Sequence, residues 1–374
     1  MLKILNIFKK EYKSLNFIEI SKANLIHNYN YLSSLNRKIK IAPVIKSNGY
    51  GHGIVNIAKI LAPQNPPFFC VDSLFEAYEL LKANIKTPIL ITGYTNPENL
   101  KVKKLPFSFA VFTQDLLRAI NDYQLQSRIH IFVDTGMRRE GVRVEELPEF
   151  LDALKQFPNL KIEGVMSHLA STNGKGDPVF QNQIRNFKKA LEIFRNYKIK
   201  PKWIHIAASG GLVNKETNEI VSQISNLSRA GIALFGLVDN KNLIPTLRLI
   251  THLAQIKTLK KGETTGYDST FKAPRNLKIG ILSIGYNDGV DRRLSNKGFV
   301  KINNISCPII GRVSMNITTI DISKIKNPRV GEEVIIYSNN PSDKNSLENC
   351  AKICDTITYD LLVKLDRSIK RIIT

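Results

Sequence analysis

Two patterns of apolar residues alternate along the first two-thirds of the chain. Short runs of β-branched and other apolar residues, typical of buried parallel strands, are separated by stretches in which apolar residues recur every three or four positions, as in amphipathic helices. The runs predict strands at 39–46, 68–71, 88–92, 108–112, 129–134, 161–168, 202–209 and 227–235. Such an alternation of strands and helices favours a closed parallel (β/α)8 barrel. An open, doubly wound sheet of fewer strands is the competing arrangement.

The pattern changes near residue 244, where strand-like runs follow one another with turns at Gly, Asn and Pro and with little helix between them. This change indicates a second, mostly β domain. We therefore predict an α/β protein with a barrel domain at 1–243 and a mostly β domain at 244–374. The basic segment 1–14 lacks the apolar core and the cleavage site of a secretory signal, so we interpret it as a short N-terminal extension.

The hydrophobic content is sufficient for a large core, and the net positive charge would favour an anionic ligand. The chain has 374 residues, of which 43% are hydrophobic and 23% are charged, and its formal net charge is +22. Such a charge is compatible with nucleic-acid binding, but that function normally concentrates the cations in one patch. The lysines and arginines form no basic run longer than a few residues, and no zinc-finger or RNA-binding motif accompanies them. We expect no nucleic-acid partner.

Cysteine usage and hydropathy narrow the choice of compartment. The cysteines Cys70, Cys307, Cys350 and Cys354 are few and irregularly spaced, which argues against a disulfide framework and fits a reducing compartment. Cys350 and Cys354 could share a helix face, yet no histidine or second cysteine pair is close in sequence, so we expect no metal site. No apolar run approaches the roughly 18 residues of a membrane helix. We expect a cytoplasmic protein without membrane contact.

The stretch IKIAPVIKSNGYGHG, residues 39–53, joins an apolar run, one lysine and a glycine-rich turn. The catalytic groups of such barrels lie at the carboxyl ends of the strands. The candidate residues at those ends are Lys46, Tyr50, Asp134, Arg139, His168, Ser209, Arg229, Gly231 and Ile232.

Taken singly, each of these candidates has an ordinary explanation. A lysine at a strand end is usually a solvated surface residue, and a lone histidine is usually structural. Together they are more informative. Apolar surroundings favour the neutral, nucleophilic form of an amine, and a glycine-rich turn before a helix can bind phosphate. The combination indicates an aldehyde cofactor that carries a phosphate group.

Six motifs resemble, in order and spacing, those of bacterial alanine racemases, which are fold-type III pyridoxal-phosphate enzymes. The motifs are APVIKSNGYGHG, VDTGMRREGV, SRAGIALFG, GYDSTF, SIGYNDG and GRVSMN. The resemblance covers about residues 15–370. It implies an isomerase that interconverts L-alanine and D-alanine with pyridoxal 5'-phosphate and supplies D-alanine for peptidoglycan. It also implies a head-to-tail homodimer whose active sites are shared between the subunits.

The resemblance implies roles for individual residues around the cofactor. Lys46 matches the lysine that binds the cofactor aldehyde covalently and acts as one of two bases, and Tyr267 of the partner subunit matches the second base. His168 and Arg229 match cationic neighbours that favour a phenolate, and Arg229 also faces the pyridine nitrogen. Phosphate contacts are implied for Tyr50, Ser209, Gly231, Ile232 and Tyr359.

The residues implied to bind the substrate match the family, but two neighbouring positions differ from it. Arg139 and the backbone N–H of Met315 match contacts to the substrate carboxylate, and Tyr286 matches a tyrosine at the entry. The family commonly has a lysine, often carbamylated, at the position of Phe132, so we expect Arg139 to lack its usual anionic partner. Asn316 replaces a common aspartate, which removes one carboxylate near the entry.

Other functions of the same fold stay open at this point. A racemase for serine or for a wider set of amino acids would differ by a few atoms of the pocket. A non-catalytic pyridoxal-phosphate barrel would resemble the first domain alone, and the motifs around Tyr267 and Met315 argue against it. A fold-type III decarboxylase would also have two domains, but GYDSTF and GRVSMN favour the racemase.

Overall fold

The computed structural model describes residues 13–157 and 159–374 and divides into two compact units. The first unit comprises Ser21–Thr246 with Ile373–Thr374, and the second comprises Leu247–Ile372 with the described residues that precede Ser21. Except for its last two residues, the predicted extension at 1–14 lies outside the described part of the chain. Among the helices of residues 13–157 and 159–374, none combines the length and the apolar content that crossing a membrane requires.

Strands and helices alternate in the described residues up to Thr246. The strands are β1 (Phe17–Ile20), β2 (Lys40–Pro43), β3 (Phe69–Val71), β4 (Ile89–Ile91), β5 (Ser108–Val111), β6 (Arg128–Asp134), β7 (Val142–Arg143), β8 (Lys161–Met166), β9 (Trp203–His205) and β10 (Leu227–Ala230). The helices are α1 (Lys22–Ser34), α2 (Lys46–Tyr50), α3 (Ile54–Leu61), α4 (Leu74–Lys82), α5 (Pro97–Leu100), α6 (Gln114–Tyr123), α7 (Leu147–Leu154), α8 (Pro178–Asn196), α9 (Ser209–Val213) and α10 (Lys215–Val221). Short 3-10 helices cover Ala62–Gln64 and Ile232–Phe235.

The parallel strands of the first unit form a closed ring. Strands β3, β4, β5, β6, β8 and β9 are neighbours in one sheet, and β10 pairs in parallel with β2. A parallel bridge between Val44 and Cys70 joins β2 to β3. The N–H of Arg229 donates to the carbonyl of Ala207 at 3.0 Å and joins β10 to the segment after β9. The ring confirms the predicted (β/α)8 barrel and excludes the open sheet.

The helices cover the outside of this ring with apolar faces. In α8, Asp177 caps the N-terminus by accepting the N–H of Val179, and Pro178 occupies the first helical position, where its missing N–H is harmless. The apolar residues of α8 recur at helical spacing, and its buried side chains include Phe180, Ile184, Phe187 and Phe194. Each buried phenylalanine contributes about 2–3 kcal/mol to the stability of the barrel.

The second unit is mostly β, as predicted. Its further strands are β11 (Leu247–Leu259), β12 (Thr264–Thr265), β13 (Phe271–Lys272), β14 (Leu277–Leu282), β15 (Phe299–Ile302), β16 (Ile305–Pro308), β17 (Thr318–Asp321), β18 (Glu333–Tyr337) and β19 (Lys370–Ile373), and its helices are α11 (Leu347–Ile353) and α12 (Thr358–Val363). Short 3-10 helices cover Tyr267–Ser269, Tyr286–Asp288 and Arg292–Leu294.

The long strand β11 organises the sheet of the second unit. It pairs antiparallel with β1, β14 and β18. Strand β1 lies in the range that the sequence analysis assigned to the barrel, but its register, with Phe17 opposite Ile250, places it in this sheet. The N-terminal strand therefore joins the second unit before the chain enters the barrel.

Candidate active site

Two residues separate the end of β2 from Lys46, which begins a left-handed turn. The sequence analysis placed Lys46 in a strand at 39–46, but β2 ends at Pro43 and Lys46 is the first residue of α2. Ser47, Asn48 and Tyr50 have φ angles of 53°, 54° and 51°. A left-handed backbone costs roughly 1–2 kcal/mol for each residue that is not glycine, so other contacts must hold this turn.

Glu76 is one residue that holds the turn. Its buried carboxylate accepts the N–H of Ser47 at 2.6 Å and the N–H of Asp72 at 2.9 Å. The Asn48 side chain also accepts the N–H of Ile54 at 3.1 Å, at the start of α3. Glu76 therefore ties the backbone after Lys46 to the segment after β3, and this contact was missed from sequence.

The amine of Lys46 lies in a more polar environment than its apolar sequence neighbours suggest. Its side chain is 40% exposed, and the Nζ atom forms an ion pair with Asp72 at 2.9 Å. The apolar surroundings that the sequence run suggested for this amine are therefore not observed. Asp72 sits just after β3, at the same end of the barrel, and it was not among the sequence candidates.

Tyr50, Ser209 and Gly231 come together at the end of the barrel that carries Lys46. The Ser209 hydroxyl oxygen accepts the N–H of Gly231 at 3.0 Å and the N–H of Ala233 at 3.2 Å. A Cβ atom added to Gly231 would lie 2.5 Å from the Tyr50 hydroxyl oxygen, so only glycine permits this close approach. The structure thus brings three predicted phosphate contacts together, next to Ile232, which begins the following 3-10 helix.

Arg229 is buried inside the barrel with a dense set of hydrogen bonds. Its Nη1 donates to Nδ1 of His205 at 2.6 Å, and its Nη2 donates to the carbonyl of Ser167 at 2.5 Å and to Nδ1 of His168 at 3.2 Å. Burial lowers the pKa of Arg229 to about 10, so the guanidinium still carries its charge at neutral pH. Because arginine has no acceptor, the imidazole nitrogens must accept these bonds.

His168 is a neutral ring and not a cationic neighbour. Burial, followed by the positive charges of Arg229, Arg139 and Lys46, lowers the pKa of His168 to about 3. The prediction that His168 and Arg229 both supply positive charge is therefore wrong for His168. Arg229 alone of that pair carries the charge.

Arg139 has an anionic partner that the sequence analysis did not anticipate. Its Nη2 atom lies 3.0 Å from a carboxylate oxygen of Glu140. Phe132 packs instead into an apolar cluster with Ala110 and Met166. Position 132 thus offers Arg139 no anionic partner, and Glu140 supplies a carboxylate from the next position in the loop instead.

The loop that carries Arg139 is fixed by Asp134. One carboxylate oxygen of Asp134 accepts the N–H groups of Gly136 at 2.9 Å and Arg138 at 3.0 Å. This bonding turns the chain sharply after β6, and Arg139, Glu140 and His168 line one small cleft. Asp134 thus serves as a turn residue that positions Arg139.

The second unit presents Tyr267, Tyr286, Met315 and Tyr359 on its surface. Their exposed fractions are 65%, 41%, 56% and 38%. The N–H of Tyr286 donates to the carbonyl of Ser314 at 3.0 Å, which joins the loops of Tyr286 and Met315. The side chain of Asn316 lies 3.4 Å from a carboxylate oxygen of Asp288, so a carboxylate remains beside this position.

The loop of Tyr267 is fastened to the loop of Met315. Arg312 forms an ion pair with Asp268 at 2.7 Å. A Cβ atom on Gly266 would lie 2.8 Å from the backbone nitrogen of Arg312, and Gly266 has a φ angle of 81°. Glycine is therefore required at this close contact. Within the second unit, the two motifs GYDSTF and GRVSMN form one connected surface.

Comparison with known proteins gives consistent results. The family model of the alanine racemase N-terminal domain matches residues 20–239, and that of the alanine racemase C-terminal domain matches residues 246–373. The alanine racemase of Syntrophobacter fumaroxidans is 30% identical over 364 residues, which cover 94% of this chain and 96% of that protein.

Solved structures extend the comparison to the fold. The structure of alanine racemase from Clostridium difficile 630 superimposes with a TM-score of 0.89, covers 97% of each chain and is 26% identical. The structure of alanine racemase from Bacillus anthracis with bound L-Ala-P has a TM-score of 0.87 and is 27% identical, covering 97% of this chain and 96% of that chain.

The buried histidines predict a loss of stability in mild acid. Burial lowers the pKa values of His130, His168 and His205, so these rings stay neutral in the folded protein below pH 6.5. In the unfolded chain they take up protons near pH 6.5. The unfolded state then binds more protons, and the free energy of unfolding falls as the pH drops from about 6.5 to 5, by up to about 1.4 kcal/mol per pH unit for each fully buried ring.

Urea denaturation between pH 5 and pH 8 measures this effect. We expect the midpoint to be constant above pH 7 and to fall below pH 6.5. The variant His205→Asn should show a shallower fall, whereas the variant of exposed His27, His27→Asn, should match the unmodified protein. A midpoint that is constant from pH 8 to pH 5 would contradict the assignment of neutral, buried rings.

Proposed function

The chain belongs to the alanine racemase family of isomerases, and on that premise we propose that it interconverts L-alanine and D-alanine with pyridoxal 5'-phosphate. The observation that carries the proposal is that one accessible amine, Lys46, lies at the same end of the barrel as the close set of Tyr50, Ser209 and Gly231. These residues follow neighbouring strands of the barrel, at the end where barrel enzymes hold their catalytic groups.

The chemistry of these residues fits the cofactor. Lys46 would bind its aldehyde covalently, and its phosphate would be held by Tyr50, Ser209, Gly231, Ile232 and Tyr359. When bound, the cofactor withdraws electrons from the substrate and makes the proton on Cα acidic. Arg229 would face the ring nitrogen. Because a guanidinium keeps its protons at neutral pH, Arg229 would donate a hydrogen bond to the ring nitrogen without protonating it. An unprotonated ring nitrogen would limit side reactions.

Two bases would move the proton between the faces of Cα. Lys46 would serve one face, and Tyr267 of the partner subunit would serve the other. A free phenol has a pKa of about 10 and needs a cationic neighbour to act as a base at pH 7. Arg229 would supply that positive charge. Neutral His168 accepts a hydrogen bond from Arg229 at 3.2 Å, so it carries its proton on Nε2 and would donate it to the phenolate. Arg139 and the N–H of Met315 would hold the substrate carboxylate, and Tyr286 would narrow the entry.

Shared active sites in a homodimer account for the exposed surface of the second unit. Tyr267 and Met315, which are 65% and 56% exposed, are large side chains on one connected surface. Exposure of such residues in a single chain supports their use by a second copy. We also propose the cytoplasm as the compartment, because the four cysteines are free and buried, namely Cys70, Cys307, Cys350 and Cys354. We further propose that the D-alanine formed by the reaction is used for peptidoglycan.

Replacing Lys46 tests the central assignment. The variant Lys46→Ala removes the amine, so it should lose racemisation and the visible absorbance of lysine-bound cofactor after reconstitution. Absorbance spectra and polarimetry measure the two effects. The matched control is Lys59→Ala, at an exposed lysine of α3, which should keep both. A Lys46→Ala protein that kept both the absorbance band and the racemase activity would show that Lys46 is not the residue that binds the cofactor covalently.

Replacing Glu140 tests how Arg139 is oriented. The variant Glu140→Gln removes the carboxylate beside Arg139. An exposed ion pair contributes up to about 1 kcal/mol to the stability of the arrangement that it holds. The KM for alanine should therefore rise about two- to fivefold, with little change in kcat. Removing dissolved carbon dioxide should have no effect, because Phe132 cannot form a carbamate. The control is Glu145→Gln, at an exposed position that follows β7. A clear dependence on carbon dioxide would show that a carbamylated lysine orients Arg139 instead.

Replacing Tyr267 tests the two-base scheme. The variant Tyr267→Phe keeps the ring and removes the titrating group, so abstraction of the Cα proton from L-alanine should fall far more than that from D-alanine, which would proceed through Lys46. Exchange of each enantiomer in deuterated water, followed by NMR, measures the two rates. Tyr123→Phe, at an exposed tyrosine of α6, is the control. Equal losses for both enantiomers would refute separate bases.

The same variants test the shared site. In a hybrid dimer of Lys46→Ala and Tyr267→Phe chains, one site carries both lesions and the other carries neither. Random reassembly of equal amounts should therefore recover about a quarter of the original activity. If a tagged pull-down shows hybrids but no activity returns, Tyr267 does not act across the subunit interface.

A further inference from the structure

A line of hydrogen bonds crosses the interior of the barrel beneath the candidate site. From Arg229 it passes to Nδ1 of His205 at 2.6 Å, from Nε2 of His205 to Nδ1 of His130 at 2.9 Å, and from Nε2 of His130 to the carboxylate of Glu163 at 3.4 Å. These residues come from strands β10, β9, β6 and β8. Both imidazole rings are fully buried, and Arg229 is 4% exposed.

The chemistry of the four groups gives every bond in this line one direction. Arginine has only donors, so Nδ1 of His205 must accept, and a neutral His205 then carries its proton on Nε2. That proton is donated to Nδ1 of His130, so a neutral His130 also carries its proton on Nε2 and donates it to Glu163. Burial, which lowers the pKa values of both rings, is consistent with their neutral forms.

The line of hydrogen bonds ends on the carboxylate of Glu163. Among the described residues, the side-chain hydrogen bonds of Arg229 go to imidazole nitrogens of His205 and His168 and to backbone carbonyl oxygens. Chains of hydrogen bonds polarise one another in a low-dielectric interior, so the bonds of the two imidazole rings connect Arg229 to the group at the other end of the line. Glu163, whose side chain is 14% exposed, lies at the far end of the line and also contacts Arg128 at 3.8 Å.

We propose that Glu163 and His130 are positioning residues, which act through His205 to fix the orientation of the Arg229 guanidinium. Without the carboxylate, the buried Nε2–H of His130 has no acceptor, which opposes the tautomers that Arg229 favours in both rings. A proton on Nδ1 of His205 would then face an N–H of Arg229, and the bond at 2.6 Å would be lost. The expected effect on catalysis rests on the proposed function, because it assumes that Arg229 faces the cofactor.

Nitrogen NMR of the rings tests the line independently of catalysis. The full chain contains six histidines, so labelling them with nitrogen-15 gives few signals, and single His→Asn variants assign them. In the unmodified protein we expect His130 and His205 as neutral rings with the proton on Nε2. In Glu163→Leu, which removes the acceptor, the signals of both rings should shift towards the Nδ1-protonated form. Glu163→Gln keeps an oxygen acceptor and should retain both tautomers.

Kinetics of the same variants separate a positioning role from a purely structural one. Glu163→Leu should lower kcat about tenfold, as expected for the loss of one hydrogen bond to a charged group, with the KM changed less than twofold. Glu163→Gln should keep kcat within about threefold. The matched control is Arg128→Gln, which removes the exposed neighbour of Glu163 and should change neither the tautomers nor kcat.

The NMR and kinetic results distinguish the line of hydrogen bonds, the positioning role of Glu163 and the proposed function. Different tautomers or doubly protonated rings in the unmodified protein would overturn the line of bonds. A Glu163→Leu protein with lower thermal stability but unchanged ring signals and kcat would reduce Glu163 to a structural role. If Glu163→Leu does not fold, the test uses Glu163→Gln alone. Altered ring tautomers in Glu163→Gln would then overturn the proposal. The predicted tautomers in a protein without racemase activity would leave the line intact and refute the proposed function alone.

Discussion

The buried positive charge of Arg229 determines most of the properties of the candidate site. Its guanidinium lies inside the barrel, where it makes His168 and His205 acceptors and helps to keep them neutral. Lys46, Arg139 and the Ser209 turn follow other strands of the same barrel and add to its positive charge or its donor groups. A site with this much positive charge suits a phosphate and a carboxylate, which are the anionic groups that the proposed cofactor and substrate carry.

A second constraint is the left-handed turn after β2. The turn directs Lys46 into the mouth of the barrel while the chain continues to Tyr50, which reaches the Ser209–Gly231 contact. Such a backbone is unfavourable for Ser47 and Asn48, and the buried carboxylate of Glu76 compensates by accepting the N–H of Ser47. The amine and the predicted phosphate contacts are therefore held by one short segment and its partner.

Local sequence patterns predicted the elements well and the contacts between them poorly. Each predicted barrel strand overlaps an observed strand, because buried β-branched runs have few other conformations open to them. The pairing of β1 with β11 was missed, since strand pairing between distant segments leaves no local signal. His130 and His205 are polar residues within apolar runs, which was a usable signal, but their common line with Glu163 depends on the register of three strands. The partners Asp72 and Glu140 depend on loop geometry in the same way.

The most direct test of the account is racemisation itself. The purified protein, supplied with pyridoxal 5'-phosphate, would be offered a panel of L-amino acids in deuterated water, and NMR and polarimetry would follow each one. The account predicts that deuterium enters Cα of alanine while its optical rotation decays to zero, faster than for serine or any other amino acid tested. Retention of the Cα proton and of optical rotation in alanine, with the cofactor bound, would contradict it.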